Sequence, residues 1–155
     1  MSEEQKLKDE FQRISNELQQ FDEFGKHLQS QIESLQSYLI ELSRTKTTLI
    51  GLKEEPDAEE VLLQLGSGVM VRAKPLEPKK VFANVGAGVT ISKTIEEAIQ
   101  DINNRIDEVE KERLALADQL SQIISQINER ERRAQAIYQQ LQGTSKPTYD
   151  PNLVS

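Results

Sequence analysis

Two stretches of the chain carry apolar residues at alternating steps of four and three. In the first, the steps fall on Leu7, Phe11, Ile14, Leu18, Phe21, Gly25, Leu28, Ile32, Leu35, Leu39, Leu42, Lys46 and Leu49, and eleven of these thirteen are large and apolar. In the second they fall on Ile95, Ile99, Ile102, Ile106, Val109, Arg113, Leu116, Leu120, Ile123, Ile127, Arg130, Ala134, Ile137 and Leu141, twelve of fourteen apolar. A mean period of 3.5 held over about seven heptads is the pattern of a coiled-coil seam. It predicts helices over residues 3 to about 52 and about 95 to 142, each roughly 70 Å long at a rise of 1.5 Å per residue. All five prolines lie outside both stretches, Gly51 and Gly143 are placed to cap the helix ends, and Thr94 with Glu97, like Ser2 with Gln5 more weakly, has the spacing of a capping box.

Neither helix can bury such a stripe alone. About 40 residues join two helices of nearly equal length, so antiparallel pairing within the chain is the economical solution. If paired positions sum to 148, each a position of one helix meets a d position of the other: Leu7 faces Leu141, Phe11 faces Ile137, Leu28 faces Leu120 and Leu49 faces Ile99. Each exception then faces an apolar residue: Lys46 faces Ile102, Gly25 faces Ile123, Arg113 faces Leu35 and Arg130 faces Leu18. Long basic side chains cover a seam with their stems while the charge reaches water.

Between the helices the period falls to two. Val61, Leu63 and Leu65 alternate, then Gly66-Ser67-Gly68, then Val69, Val71 and Ala73; Val81, Ala83 and Val85 alternate, then Gly86-Ala87-Gly88, then Val89 and Ile91. The two units share Val-x-x-x-[Leu/Val]-Gly-x-Gly-Val-x-[Val/Ile] at an offset of 20 residues, a duplicated β-hairpin with three-residue turns. Glycines Gly66, Gly68, Gly86 and Gly88 supply the positive φ such turns need. They do not form a phosphate loop, because a third glycine, a helix opening directly on the loop and a Gly-Lys-Ser/Thr sequence are all missing. The fold class predicted is α+β, mainly α: a long antiparallel two-helix coiled coil with two β-hairpins, four short strands, between the helices. Its parts are an N-terminal helix at 1–53, an acidic linker at 54–60, the hairpins at 61–93, a C-terminal helix at 94–142 and a disordered tail at 143–155.

Composition narrows the function. Apolar residues make up 36% of the 155 and aromatic ones 5%, with no Trp, so a thick core around a deep pocket is hard to build and an enzyme is disfavoured. Paired carboxylates need a desolvating cleft to act as acid and base, and two paired helices supply none. No cysteine and a single histidine, His27 at a solvated heptad position, leave no metal site or thiol chemistry, and no cofactor is expected. A net charge of −7 disfavours nucleic acid and anionic membrane as partners, and it argues against an RNA-gripping helical arm, which needs a basic face. With no apolar run long enough for a bilayer and no apolar leader, a cytoplasmic location is expected. The strands carry apolar residues on both faces, Leu62, Met70 and Phe82 on the second one, so they need cover from other subunits. Residues proposed for that assembly are Val61, Leu63, Leu65, Val69, Val71, Val81, Val85, Val89 and Ile91.

With these residues in view the chain resembles the prefoldin family, and its alpha class in particular. The specific match is Val85-Gly86-Ala87-Gly88-Val89 running through Ile91-Ser92-Lys93 to Glu96-Glu97-Ala98, with Leu65-Gly66-Ser67-Gly68 as its earlier counterpart. Two hairpins rather than one look like the alpha class, and the overall pattern resembles an archaeal chain. The resemblance implies a hexamer of two alpha and four beta subunits, with strands joined into barrels and six coils around a cavity. It implies an ATP-independent chaperone that captures unfolded client proteins at the coil ends and passes them to a group II chaperonin. Terminal helix turns fray, so Leu7, Phe11, Ile14, Ile137, Tyr138 and Leu141 are the candidate client-binding residues. A coiled-coil adaptor or tether assembled through its hairpins is the alternative; Tyr149, Leu153 and Val154 of the tail are a weaker candidate contact.

Two variants separate the two surfaces. Phe11→Ser with Ile137→Ser is expected to weaken client capture and leave assembly intact, whereas Val85→Asp is expected to break assembly; a normal solution mass for Val85→Asp would refute assembly through the strands.

Overall fold

A computed structural model describes residues 2–55, 60–77 and 79–144. Most of the acidic linker (56–59), Pro78 and the tail from residue 145 with Tyr149, Leu153 and Val154 lie outside the described residues. The order of elements is α1 (Glu3–Glu54), β1 (Val61–Gly66), β2 (Val69–Ala73), β3 (Lys80–Asn84), β4 (Thr90–Thr94) and α2 (Ile95–Thr144). By contacts the chain divides into two compact units, Met1–Glu33 with Leu114–Ser155, and Ser34–Arg113.

Both helices begin as their capping residues require. Ser2 Oγ accepts from the Gln5 backbone N–H at 3.2 Å, and Thr94 Oγ1 accepts from that of Glu97 at 3.1 Å, each satisfying one of the four first-turn donors. The far ends differ from expectation: α1 continues through Gly51 to Glu54, and α2 through Gly143 to Thr144. Gly51 is therefore a helical residue, and its carbonyl accepts from the Glu55 N–H at 3.2 Å in one more i to i+4 step.

In the first unit, every seam position is buried or partly buried, including Gly25 and Arg130. Ile14, Leu28, Ile32 and Ile137 form its most enclosed layers. A Cβ added at Gly25 would stand 3.7 Å from Ile123 and 3.8 Å from Leu120. That neighbourhood is the one the 148 sum requires; a shift of one heptad would place residue 116 or 130 there instead.

In the second unit the seam residues Leu42, Leu49, Ile95 and Val109 are buried, and so is Ala98, which lies off the seam. The reason is β3. Val81 packs on a cluster of Leu49, Ile95 and Ala98, flanked by Leu52, Ile99 and Ile102, so the helix pair has a third apolar neighbour here. Val81 pairs with Lys93 and Ala83 with Ile91, so these four share the sheet face that carries Val81, while Phe82, Asn84, Thr90 and Ser92 share the other. Lys93 is ion-paired to Asp101 on α2.

The strands form two separate two-stranded antiparallel sheets, β1-β2 and β3-β4. Their turns are shorter than expected. Gly66 pairs with Val69, leaving Ser67 and Gly68 as a two-residue loop at φ 50° and 80°; Ala87 and Gly88, at φ 52° and 74°, repeat it, closed by a 2.9 Å bond from Val89 N–H to Gly86 O. Two successive positive φ values are those of a type I′ turn, whose twist suits a hairpin. A register shift between Gln64 and Gly66 puts Leu65 at a β-bulge, out of line with Val61 and Leu63. Val85 and Val89 lie beyond β3 and β4 yet still bond across the hairpin, the Val85 N–H donating to Val89 O at 2.9 Å; Asn84 Oδ1 accepts from the Gly86 N–H at 2.8 Å as the chain turns.

Glycine inside a helix costs about 1 kcal/mol relative to alanine, and at Gly25 the added methyl meets only ordinary contacts. Gly25→Ala is therefore expected to raise the thermal midpoint by a few degrees, as read by circular dichroism; a lowered midpoint would show that the seam has no room there.

Candidate functional site

Two surfaces bear on function, one in each unit. In the second unit the strands leave apolar side chains uncovered. Leu63, Leu65, Val69, Val71, Val85, Val89 and Ile91 are all exposed. Val61 and Val81 are partly buried, Val81 against its own helices. Equally or more open are side chains not named for assembly: Leu62, Met70, Phe82 and, at 95% exposure, Leu76. Leu62 and Met70 belong to the second face of β1-β2, where Leu62 pairs with Arg72 and Gln64 with Met70. The sequence already marks both as apolar positions on that second face; Leu76 stands in a proline-flanked link where no period applies.

The two hairpins are thus unequal. One face of β3-β4 is used by Val81 on the helices, while β1-β2 is apolar on both faces and has no comparable seat in the buried cluster. A cavity of about 1060 Å³ lies beside them, lined by Val61, Leu62, Pro75, Leu76, Phe82 and Ile95 among others. Among the described residues no polar or charged residue is buried, and no group of His, Cys, Asp and Glu is placed to hold a metal. A desolvated acid or base, the usual mark of a catalytic centre, is therefore not found there.

In the first unit the helix ends lie together. Ile137 is completely enclosed and Ile14 nearly so, Leu7, Phe11 and Leu141 are partly buried, and Tyr138 is 52% exposed. The Tyr138 hydroxyl accepts from Gln142 Nε2 at 2.7 Å. The six candidate residues are brought into one region, yet only Tyr138 is largely open while the ends stay paired.

Charged residues on and beside the seam complete this end. Arg133 Nε and Nη2 donate to Glu10 Oε1 and Oε2 at 2.8 and 2.9 Å, a two-point guanidinium–carboxylate bond between the helices. Arg130 Nε donates to Glu17 Oε2 at 2.7 Å, and its guanidinium stands 4.7 Å from the centre of the Phe21 ring. Arg13 lies 4.0 Å from Glu17 within α1. Hydrogen bonding to Arg133 holds the Glu10 carboxyl below its ordinary 4.5, against a smaller desolvation effect that raises it, with the positive charges of Arg133 and Arg13 adding to the lowering. The same bond raises Arg133 above its usual range. A reading of the seam alone passes over this pairing, although the signal for it is in the sequence: the register places g positions 10 and 133 side by side, with opposite charges.

Comparison with known proteins bears on the family. The family model described as "Prefoldin subunit" matches residues 22–140. A prefoldin subunit alpha of Methanoregula boonei is 31% identical over 88% of this chain and 88% of its own. One of Methanopyrus kandleri is 34% identical over 71% of this chain and 70% of its own. A filamentous PFD of Methanocaldococcus jannaschii, solved by cryo-EM, shares the fold at a TM-score of 0.63 and 23% identity, covering 74% of this chain and 95% of that one. No helix among the described residues is long and apolar enough to cross a membrane.

A carboxylate whose folded value is depressed contributes stability that is present above its unfolded value and lost as pH falls through the folded one. Glu10→Gln is accordingly expected to lower the thermal midpoint at neutral pH, with the gap to the natural chain narrowing as pH falls below the ordinary 4.5 and on through the depressed value; a gap that does not narrow on acidification would show that the ion pair is not its source.

Proposed function

The chain belongs to the prefoldin family, beside the archaeal alpha subunits, and on that premise we propose that it serves an ATP-independent holdase, capturing non-native proteins at its paired helix ends. Members of the family are chaperone subunits rather than enzymes. In this reading the chain assembles through its hairpins with beta subunits, two alpha to four beta, and the complex passes its clients to a group II chaperonin in the cytoplasm.

The observation that carries the reading is the apolar cluster at the ends of α1 and α2. Tyr138 is open, Leu7, Phe11 and Leu141 are partly so, and Ile14 and Ile137 lie directly beneath. Few layers lie beyond them, so the ends part at low cost. Burial of apolar surface at about 25 cal/mol per Å² favours many clients without reading their sequence, and weak contacts at several coil ends combine through avidity. Assembly is supported by β1-β2, which exposes Leu62, Leu63, Met70 and Val71 on both faces and leaves strand edges unpaired. Isolated two-stranded sheets are marginal in water, so cover from another subunit completes them.

The test is light scattering of a denatured protein diluted into ATP-free buffer with the assembled complex, containing either the intact chain or one trimmed to residues 12–136. Suppression of aggregation by the intact form, lost on trimming while the other subunits are retained, is the expected outcome. An assembled intact complex that does not suppress aggregation would leave the adaptor or tether reading in its place.

A further inference from the structure

At the client end of the first unit the two flanks of the seam are not equivalent. The bonds that cross between helices there, Glu10–Arg133 and Glu17–Arg130, lie on the flank that carries Glu10, Glu17 and Arg133, all at heptad position g. Arg13 borders Glu17 and also acts on Glu10, so five charged side chains form one network over the last turns. Isolated surface pairs contribute little, but a two-point arginine bond within a network holds its geometry.

The opposite flank, heptad position e, is tied only within each helix. Lys8 pairs with Glu4, Asp22 with Lys26, Ser15 Oγ donates to its own helix at Phe11 O, and Tyr138 bonds Gln142. Among the described residues of this flank, no hydrogen bond or ion pair crosses to the other helix. The e positions Lys8, Ser15 and Asp22 on α1 and Ile124, Glu131 and Tyr138 on α2 share this flank. Ile124 and Tyr138 on this flank are 48% and 52% exposed.

We infer that the coil end opens on one side: the helices part along the Ser15/Tyr138 flank and stay hinged at Glu10–Arg133 and Glu17–Arg130. The inference rests on the holdase reading and adds to it a direction. Parting on the free flank uncovers the a positions that border it three and four places away, Phe11 and Leu18 beside Ser15 and Ala134 and Leu141 beside Tyr138, as an apolar cleft that fits an extended apolar stretch of a non-native chain. The hinge preserves the register, so the seam closes correctly when the client leaves.

The chain has no cysteine, so engineered pairs report cleanly. One variant carries Ser15→Cys with Tyr138→Cys, the other Glu10→Cys with Arg133→Cys, each full length, in the assembled complex, and compared with its own reduced form so that the loss of the natural side chains cancels. Client capture is read by suppression of aggregation, and opening by hydrogen exchange of the amides in residues 4–14. Oxidation of the 15/138 pair is expected to protect those amides and abolish capture, while oxidation of the 10/133 pair leaves both near the reduced level. Equal loss of capture in both variants, or exchange unchanged by the 15/138 link, would overturn the one-sided hinge. Protection of the amides without loss of capture would instead overturn the assignment of clients to this end, and the inference with it.

Discussion

An apolar stripe on a long helix has to be buried against a second stripe, and every other feature of this chain follows from that requirement. Leu28, Ile32 and Ile137 in one unit and Leu42, Leu49 and Val109 in the other are enclosed only because the returning helix lies alongside. The return fixes where the rest can be. It brings residues near both ends of the chain into one unit and confines the strands to the other. A two-helix seam also has no third layer to enclose polar groups, which accounts for the absence of buried polar residues among those described.

Function then resides in what the seam leaves unfinished. The β1-β2 hairpin has two apolar faces and free edges, a surface complete only when other strands lie against it. The β3-β4 hairpin is partly satisfied at home, because Val81 reaches the Leu49, Ile95 and Ala98 cluster and Lys93 is paired to Asp101. In the other unit the apolar residues near the helix ends are mostly covered. Ile14 and Ile137 are buried, but by a small number of final layers, and the ionic bonds that hold those layers lie along one flank.

A good part of this is legible from residue order. Period and seam exceptions depend only on spacing along a helix, so Gly25, Lys46, Arg113 and Arg130 fall on the seam by counting alone, and the Gly25–Ile123 neighbourhood agrees with the register drawn from a-to-d matching. Capping at Ser2 and Thr94 is equally local. The hairpins are visible through their glycines, but their details are not. Whether Ser67-Gly68 or all three residues form the loop depends on where the ladder ends, and that is settled by the bulge at Leu65 and the Asn84 side-chain bond.

Spacing, charge and turn chemistry thus determine the helices, their pairing partner, the duplicated hairpins and the family, because each is written in residues a few positions apart or in a repeat. Contacts between distant segments decide the remainder. The seating of β3 on the helices, the openness of Leu62, Leu76 and Phe82, the enclosure of Ile137 beside the exposed Tyr138, and the choice of the flank that carries the inter-helix bonds all depend on which side chains arrive together in three dimensions. A one-dimensional pattern specifies which face of an element is apolar; the packed chain specifies how much of that face it covers itself and how much it leaves for others.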